Sequence, residues 1–249
     1  MLSDIERVYD ILELTYIDIS TKDGLDRLEK LKIIFKEIFA ELGLTLDQSS
    51  TVLVLMAGSC IEGIALAELY GCSITCIDVQ KKLLEKGLRY AQNKKIRMEI
   101  IADDIKNIDK YVKKEVYDLI LFWGSSLPHI DLKSFDKIIG YCHEALKKGG
   151  YVIIDQRDII FDIILRYKDI ILDRIDPPVI NIHVSFDPIE GCYERIYMNL
   201  VTGDYVKLKN YVWAPFIIEY VLEKNTFRNV KTIMKRLRNI RRPITIAQK

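Results

Sequence analysis

The sequence predicts an α/β protein whose core is a parallel sheet covered by helices on both faces. Three observations predict it. From Val52 onward, short apolar runs alternate with amphipathic segments of helical spacing. The first apolar run, VLVLMAGSC, passes through a tight turn of small residues around Gly58 into an amphipathic stretch that reaches Leu69. The second, ITCID, ends on an acid, Asp78. A strand, a glycine turn, a helix and an acid about 20 residues on make a nucleotide-binding βαβ unit.

At 249 residues the chain suits one large α/β domain with a sizeable core. Its 37 basic and 36 acidic residues leave a net charge of +1, so no global field draws it to nucleic acid or to an anionic membrane. The apolar runs are short and broken by charges, and Met1 is followed by acids rather than by a basic and then an apolar segment. The expectation is a soluble, cytoplasmic protein without a membrane partner. Cys60, Cys72, Cys76, Cys142 and Cys192 are an odd set without CxxC pairs, and they read as reduced thiols. No metal site is expected, because Cys72 and Cys76 share a strand face but lack a second ligand pair.

The elements follow in order. Ile5, Val8 and Leu12, then Leu25, Leu28, Leu31, Phe35, Ile38 and Leu42, recur at helical spacing and predict an N-terminal helical cap over residues 1–48. Strands are expected over Val52 to Leu55, Ser73 to Ile77, Met98 to Ala102, Tyr117 to Phe122 and Tyr151 to Asp155, the last after a Gly149-Gly150 break. Helices fall between them, closing at Gly71, over Lys82 to Ala91 and near Phe135 to Leu146. Ile159 to Ile175 reads as one more helix. INIHVSF, CYERIYMNLV and DYVKLKNYVW, separated by DPIEG and TG turns, then predict an antiparallel insertion over residues 176–213. A helix from Pro215 to Glu223 and two strands joined by a basic turn close a single domain. Exposed strand edges in the insertion can pair two copies into a homo-oligomer.

The chemistry sits where the parallel strands end. Gly58 marks the closest approach of backbone to ligand, and Asp78 is placed to accept two ribose hydroxyls. Asp103 and Asp104 can hold an adenine amino group, with the backbone amide of Ile105 meeting a ring nitrogen. Each acid can instead be a helix cap.

In this order, VLVLMAGSC, the ID at Asp78, ADDI, YDLILFWGSSLPHI, LKKGGYVIIDQRD and the closing strand pair resemble the class I S-adenosylmethionine-dependent methyltransferases. The likeness covers almost everything from residue 50 onward, and GSSLPHI and GGYVIIDQRD are most similar to the glycine and sarcosine N-methyltransferase group. It implies a Rossmann-like seven-stranded sheet with an antiparallel β insertion after strand 5, and a seventh strand antiparallel between the fifth and sixth. It implies S-adenosylmethionine as cofactor, with Ala57, Gly58 and Ser59 at its methionine part and Asp78 and Val79 at its ribose and adenine. Asp104 and Ile105 would meet the adenine, and Phe122, Trp123 and Gly124 would lie beside the sulfonium. Arg157 takes the position that pairs with a substrate carboxylate, although it can equally be a structural partner of Asp155 or Asp158.

Ser125, Ser126 and His129 can orient an amine or hydroxyl, and a neutral His129 can take the released proton. Tyr9, Tyr16, Trp123, His183, Tyr193 and Trp213 can line the acceptor pocket or belong to the core. The first loop departs from the family, with Val54 where an acid is usual and Met56 and Cys60 where glycines are usual. The reading is therefore a methyltransferase of a small molecule, such as an amine or amino acid. A catalytically degenerate cofactor-binding or regulatory protein is the alternative, and a nicotinamide-dependent oxidoreductase is a weaker one, lacking GxGxxG spacing. Asp176-Pro177-Pro178 reads as a turn, and the basic run Lys231, Lys235, Arg236, Arg238, Arg241 and Arg242 as a solvated face.

Overall fold

A computed structural model describes residues 4–12, 14–237 and 240–249. The chain opens with helices α1 (Asp4–Leu12) and α2 (Lys22–Leu42). Thr21 starts α2 by accepting from the Gly24 amide, and Gly43, at φ 64°, ends it in the left-handed conformation that glycine tolerates. Next come β1 (Thr51–Leu55), α3 (Ile61–Tyr70), β2 (Ser73–Asp78), α4 (Lys81–Asn93), β3 (Met98–Ala102), β4 (Tyr117–Phe122), α5 (Leu132–Ala145) and β5 (Leu146–Asp155). After α6 (Ile159–Arg166) the chain makes β6 (Ile170–Arg174), β7 (Val179–Asp187), β8 (Cys192–Asn199) and β9 (Tyr205–Tyr211). It closes with α7 (Pro215–Lys224), β10 (Arg228–Leu237) and β11 (Ile240–Gln248).

Seven strands form the main sheet in the order β10-β11-β5-β4-β1-β2-β3. β1 to β5 pair in parallel, whereas β11 is antiparallel to both β5 and β10. Successive residues of a strand face opposite sides. Val52 and Val54 accordingly pack with Leu28, Phe35 and Ile64 on the α2–α3 side. Leu53 and Leu55 pack with Phe135, Ile138 and Leu222 on the α5–α7 side. Both faces are covered, which is why β1 is apolar at every position from Val52 to Leu55.

β6 to β9 form a separate antiparallel sheet, onto which α1 packs Val8 against Val206 and Leu208. One expectation is corrected here: Ile159 to Ile175 is not one helix, since α6 ends at Arg166 and Ile170–Arg174 pairs with β7. An apolar run of that length satisfies either period, and the strand partner decides. The Asp176-Pro177-Pro178 segment lies in the turn between β6 and β7. Among the described residues, no helix is long and apolar enough to cross a membrane.

Candidate active site

β1 ends at Leu55, and the next five residues lead into α3. Met56, Gly58 and Cys60 lie at φ 55°, 55° and 58°, three alternate left-handed residues of which only one is glycine. A side chain in that region costs about 1–2 kcal/mol per residue, so the loop must be held from outside. Asp78 holds it: one carboxylate oxygen accepts from the Gly58 amide at 2.7 Å and the other from the Gln80 amide at 2.8 Å. The Ala57 amide donates to the Ile77 carbonyl at 3.1 Å and the Cys60 amide to the Ala57 carbonyl at 2.7 Å. A Cβ on Gly58 would meet nothing closer than the Ile17 carbonyl oxygen at 4.0 Å, so this backbone borders open space that a ligand can enter.

The cysteines correct another expectation. Cys60 and Cys76, both fully buried, are joined as a disulfide with Cα atoms 6.2 Å apart. Linear spacing concealed the pair because the βα turn folds the start of α3 back over β2. Cys72, Cys142 and Cys192 remain thiols, and burial pushes Cys72 up to about 11.

The N-terminal segment lies over the loop. Ser59 Oγ donates to the Ile17 carbonyl at 2.6 Å and accepts from the Ile19 amide at 3.0 Å. Lys86 pairs with Asp18. Tyr9 of α1 is held above the ordinary phenol range, first by burial and then by the Asp78 carboxylate, which places α1 near the end of β2. Val79 is 40% exposed beside Asp78.

Asp103 accepts from the Asp104 amide, from Asn107 and, at 2.6 Å, from the Tyr111 hydroxyl. Asp104 caps the following turn through the Lys106 amide at 2.9 Å, and Ile105 is buried beneath it. Asp104 therefore does the capping work that its sequence position also allowed, whereas Asp103 ties the turn to Asn107 and Tyr111. Phe122 and Trp123 turn their rings inward, Phe122 edge-on to Phe135 and Trp123 edge-on to Phe35 at 4.9 Å. Gly124, at φ 91°, presents backbone at the end of β4.

Ser125 and Asp155 meet where β4 and β5 end. The Ser125 amide donates to the Asp155 carbonyl at 3.2 Å, and Ser125 Oγ receives the Arg157 amide and the Arg242 guanidinium. His129 follows in a short turn; burial holds its imidazole down at about 4, neutral at physiological pH. Arg157 points outward, its side chain 49% exposed and paired with Asp162 at 2.6 Å. Trp213 is core, packed on Phe135 and donating its indole N–H to the Ile130 carbonyl. His183 stacks edge-on to Tyr167 within the insertion.

Asp155 and Arg242 are the residues that sequence reasoning missed. Arg242, assigned to a solvated face, instead turns inward to Asp155 at 2.7 Å. Period-two spacing carried the signal, since Arg242 shares a strand face with buried Ile244 and Ile246. Lys235 of the same basic run pairs with Glu41, and Arg238 lies outside the described residues. Asp155 is fully buried, and burial raises it to about 6 although Arg242 and the Gly124 amide pull it down. A cleft of about 590 Å³ lined by Thr51, Ser73 and Arg97 lies at the opposite end of the strands.

Comparison with known proteins bears on this end of the sheet. Residues 52–150 match a family described as a methyltransferase domain. The matched span runs from the start of β1 through the Gly58 loop and Asp78 to Gly150 in β5. Among curated proteins none matches. In fold, the chain is similar to a Pyrococcus horikoshii OT3 protein, with 16% identity, TM-score 0.68 and coverage of 100% of this chain and 99% of the other. A Clostridium acetobutylicum S-adenosylmethionine-dependent methyltransferase is 15% identical, with TM-score 0.66 and coverage of 98% and 97%. A cofactor-bound amino pentose methyltransferase from Micromonospora echinaspora is 10% identical, with TM-score 0.56 and coverage of 100% and 97%.

Proposed function

We propose that the protein transfers the methyl group of S-adenosylmethionine to a small-molecule acceptor, an amine or amino acid. The observation that carries this reading is the roof: α1 and the Thr15–Ile17 turn lie on the Gly58 loop, and the β6–β9 sheet supports α1. An enclosed floor and roof suit a small acceptor, whereas a macromolecule needs an open groove. The amino pentose methyltransferase, similar along its whole length, supports an amine. A net charge of +1 gives no field that favours a nucleic-acid partner, and the reading includes a cytoplasmic location.

The cofactor supplies an electrophilic methyl group on a sulfonium. In this reading Ala57, Gly58 and Ser59 hold its methionine part through backbone groups, Asp78 and Val79 its ribose and adenine edge, and Asp103, Asp104 and Ile105 the far side of the adenine. Phe122 and Trp123 fix the strand end from the core, so that the Gly124 backbone borders the reacting centre. Ser125 and His129 orient the acceptor, and neutral His129 is able to take a proton. Arg157 can reach an acceptor carboxylate after leaving Asp162. The remaining requirement is an in-line approach with water excluded.

Calorimetric titration with S-adenosylmethionine and S-adenosylhomocysteine tests the reading. Micromolar binding is expected, falling about 100-fold in Asp78→Ala, which removes a charged hydrogen-bond acceptor from both loop and ribose. Absence of binding to either compound would refute it.

A further inference from the structure

Seven buried side-chain polar atoms lack a partner among the described residues, and five of them lie on the segments that follow β4, end β5 or form β11. They are Ser126 Oγ and His129 Nδ1 after β4, Asp155 Oδ1 and Gln156 Oε1 at the end of β5, and Arg242 Nε on β11. A buried polar group without a partner costs free energy, and such groups cluster where a ligand supplies the missing bonds.

The partners of Asp155 sort its two oxygens. Oδ2 accepts from the Gly124 amide at 3.0 Å and from Arg242 at 2.7 Å, whereas Oδ1 accepts from nothing. The Arg242 contact is therefore one-pronged, fixing the carboxylate and leaving its second oxygen for another molecule. A group that reaches Oδ1 must therefore carry a donor hydrogen. Arg27 and Glu62, the other charged groups acting on Asp155, form an ion pair, and the Arg27 guanidinium lies 3.5 Å from where a Gly124 Cβ would be. Two guanidinium groups and two carboxylates balance, so the junction does not itself demand a charged ligand.

We propose that Asp155, anchored through Oδ2 by Arg242 and Gly124, is a catalytic residue whose Oδ1 receives an N–H of a neutral amine acceptor. The inference rests on the methyltransferase reading and adds the residue that selects the nucleophile. With the N–H directed to Oδ1, the nitrogen lone pair is free to form the C–N bond while the C–S bond breaks and its electron pair goes to sulfur. The positive charge moves from sulfur to nitrogen, next to a carboxylate fixed in place beforehand. An alcohol offers a single hydrogen and yields an oxonium that must shed it. Arg242 is a positioning residue, acting through Asp155.

Methyl transfer from S-adenosylmethionine is measured over matched primary amines and alcohols, for the wild type, Asp155→Asn and Arg242→Lys, with S-adenosylhomocysteine affinity measured alongside. Expected are transfer to amines over alcohols, and a kcat loss of about 100-fold in Asp155→Asn with cofactor affinity unchanged. Arg242→Lys, which keeps the charge but lacks the planar fork, should lower kcat less and keeps the test open if Asp155→Asn does not fold. The proposal is overturned by equal transfer to alcohols, by full activity in both variants, by cofactor affinity falling in step with kcat, or by cofactor binding without transfer to any amine. Failure of the wild type to bind S-adenosylhomocysteine overturns the methyltransferase reading and this proposal together.

Discussion

The loop after β1 and the junction of β4, β5 and β11 lie at the same end of one sheet and are built in opposite ways. In the first, Asp78 spends both oxygens on nearby amides, so that a backbone with two non-glycine left-handed residues is held closed by its own neighbours. In the second, the buried carboxylate of Asp155 uses one oxygen and leaves the other open, and four further buried polar atoms on the same segments lack partners among the described residues. The first region is complete without a ligand; the second is not. In the function proposed above, the fixed geometry would serve the methyl donor, and the unfilled hydrogen-bonding capacity the acceptor that differs between enzymes.

The comparison breaks most easily at Arg242. Arg242→Met leaves the Asp155 carboxylate buried without its cation, and unfolding in urea at pH 8 should register a loss of about 3–5 kcal/mol. The loss should shrink below pH 6, because an acid whose folded pKa is raised penalises folding above that value and less as it protonates. A small, pH-independent loss would mean that the junction is not held by charge.

A smaller effect is expected at the loop. Gly58→Ala has room for its methyl group, so it should cost only the left-handed backbone, about 1–2 kcal/mol by the same titration. It should also weaken cofactor binding, because the methyl group enters the space that the ligand needs. Unchanged affinity would place the cofactor away from Gly58.

His129 separates the regions by pH. Its depressed pKa favours the neutral folded form, so its contribution is present above pH 6.5 and is lost as pH falls towards 4. Asp155 works in the opposite direction between pH 4 and 6. His129→Gln should therefore flatten the acid side of the stability curve, measured as Tm against pH, and an unaltered slope would mean that the ring is solvated. The mildest expectation concerns Arg157: an exposed pair with Asp162 contributes at most about 1 kcal/mol, so Arg157→Ala should leave Tm nearly unchanged. If that variant alone abolished acceptor turnover, the acceptor pole would lie on the outer side of Ser125 rather than at Asp155.

Much of the fold was legible because β1 to β5 announce themselves as apolar runs and the Gly58–Asp78 unit is local. The resemblance supplied the order of the closing strands. Ile170 to Arg174 was not legible, because an isolated apolar run does not state its period until β7 pairs with it. Asp155 and Arg242 escaped for a related reason: each looked ordinary in its own segment, a strand-terminal acid and one of several basic residues. Only the antiparallel register that sets Ile244 opposite Asp155 brings them together. The Cys60–Cys76 link was hidden in the same way, by a contact across a turn.

The antiparallel seating of β11 beside β5 also gives the two halves of the site different histories during folding. The Gly58–Asp78 clasp joins residues 20 apart, whereas Arg242 reaches Ser125 across 117. Closing the longer loop is slower and costs more chain entropy. A refolding chain should regain its affinity for the methyl donor before it regains turnover, and the interval between the two measures how late the last hairpin docks.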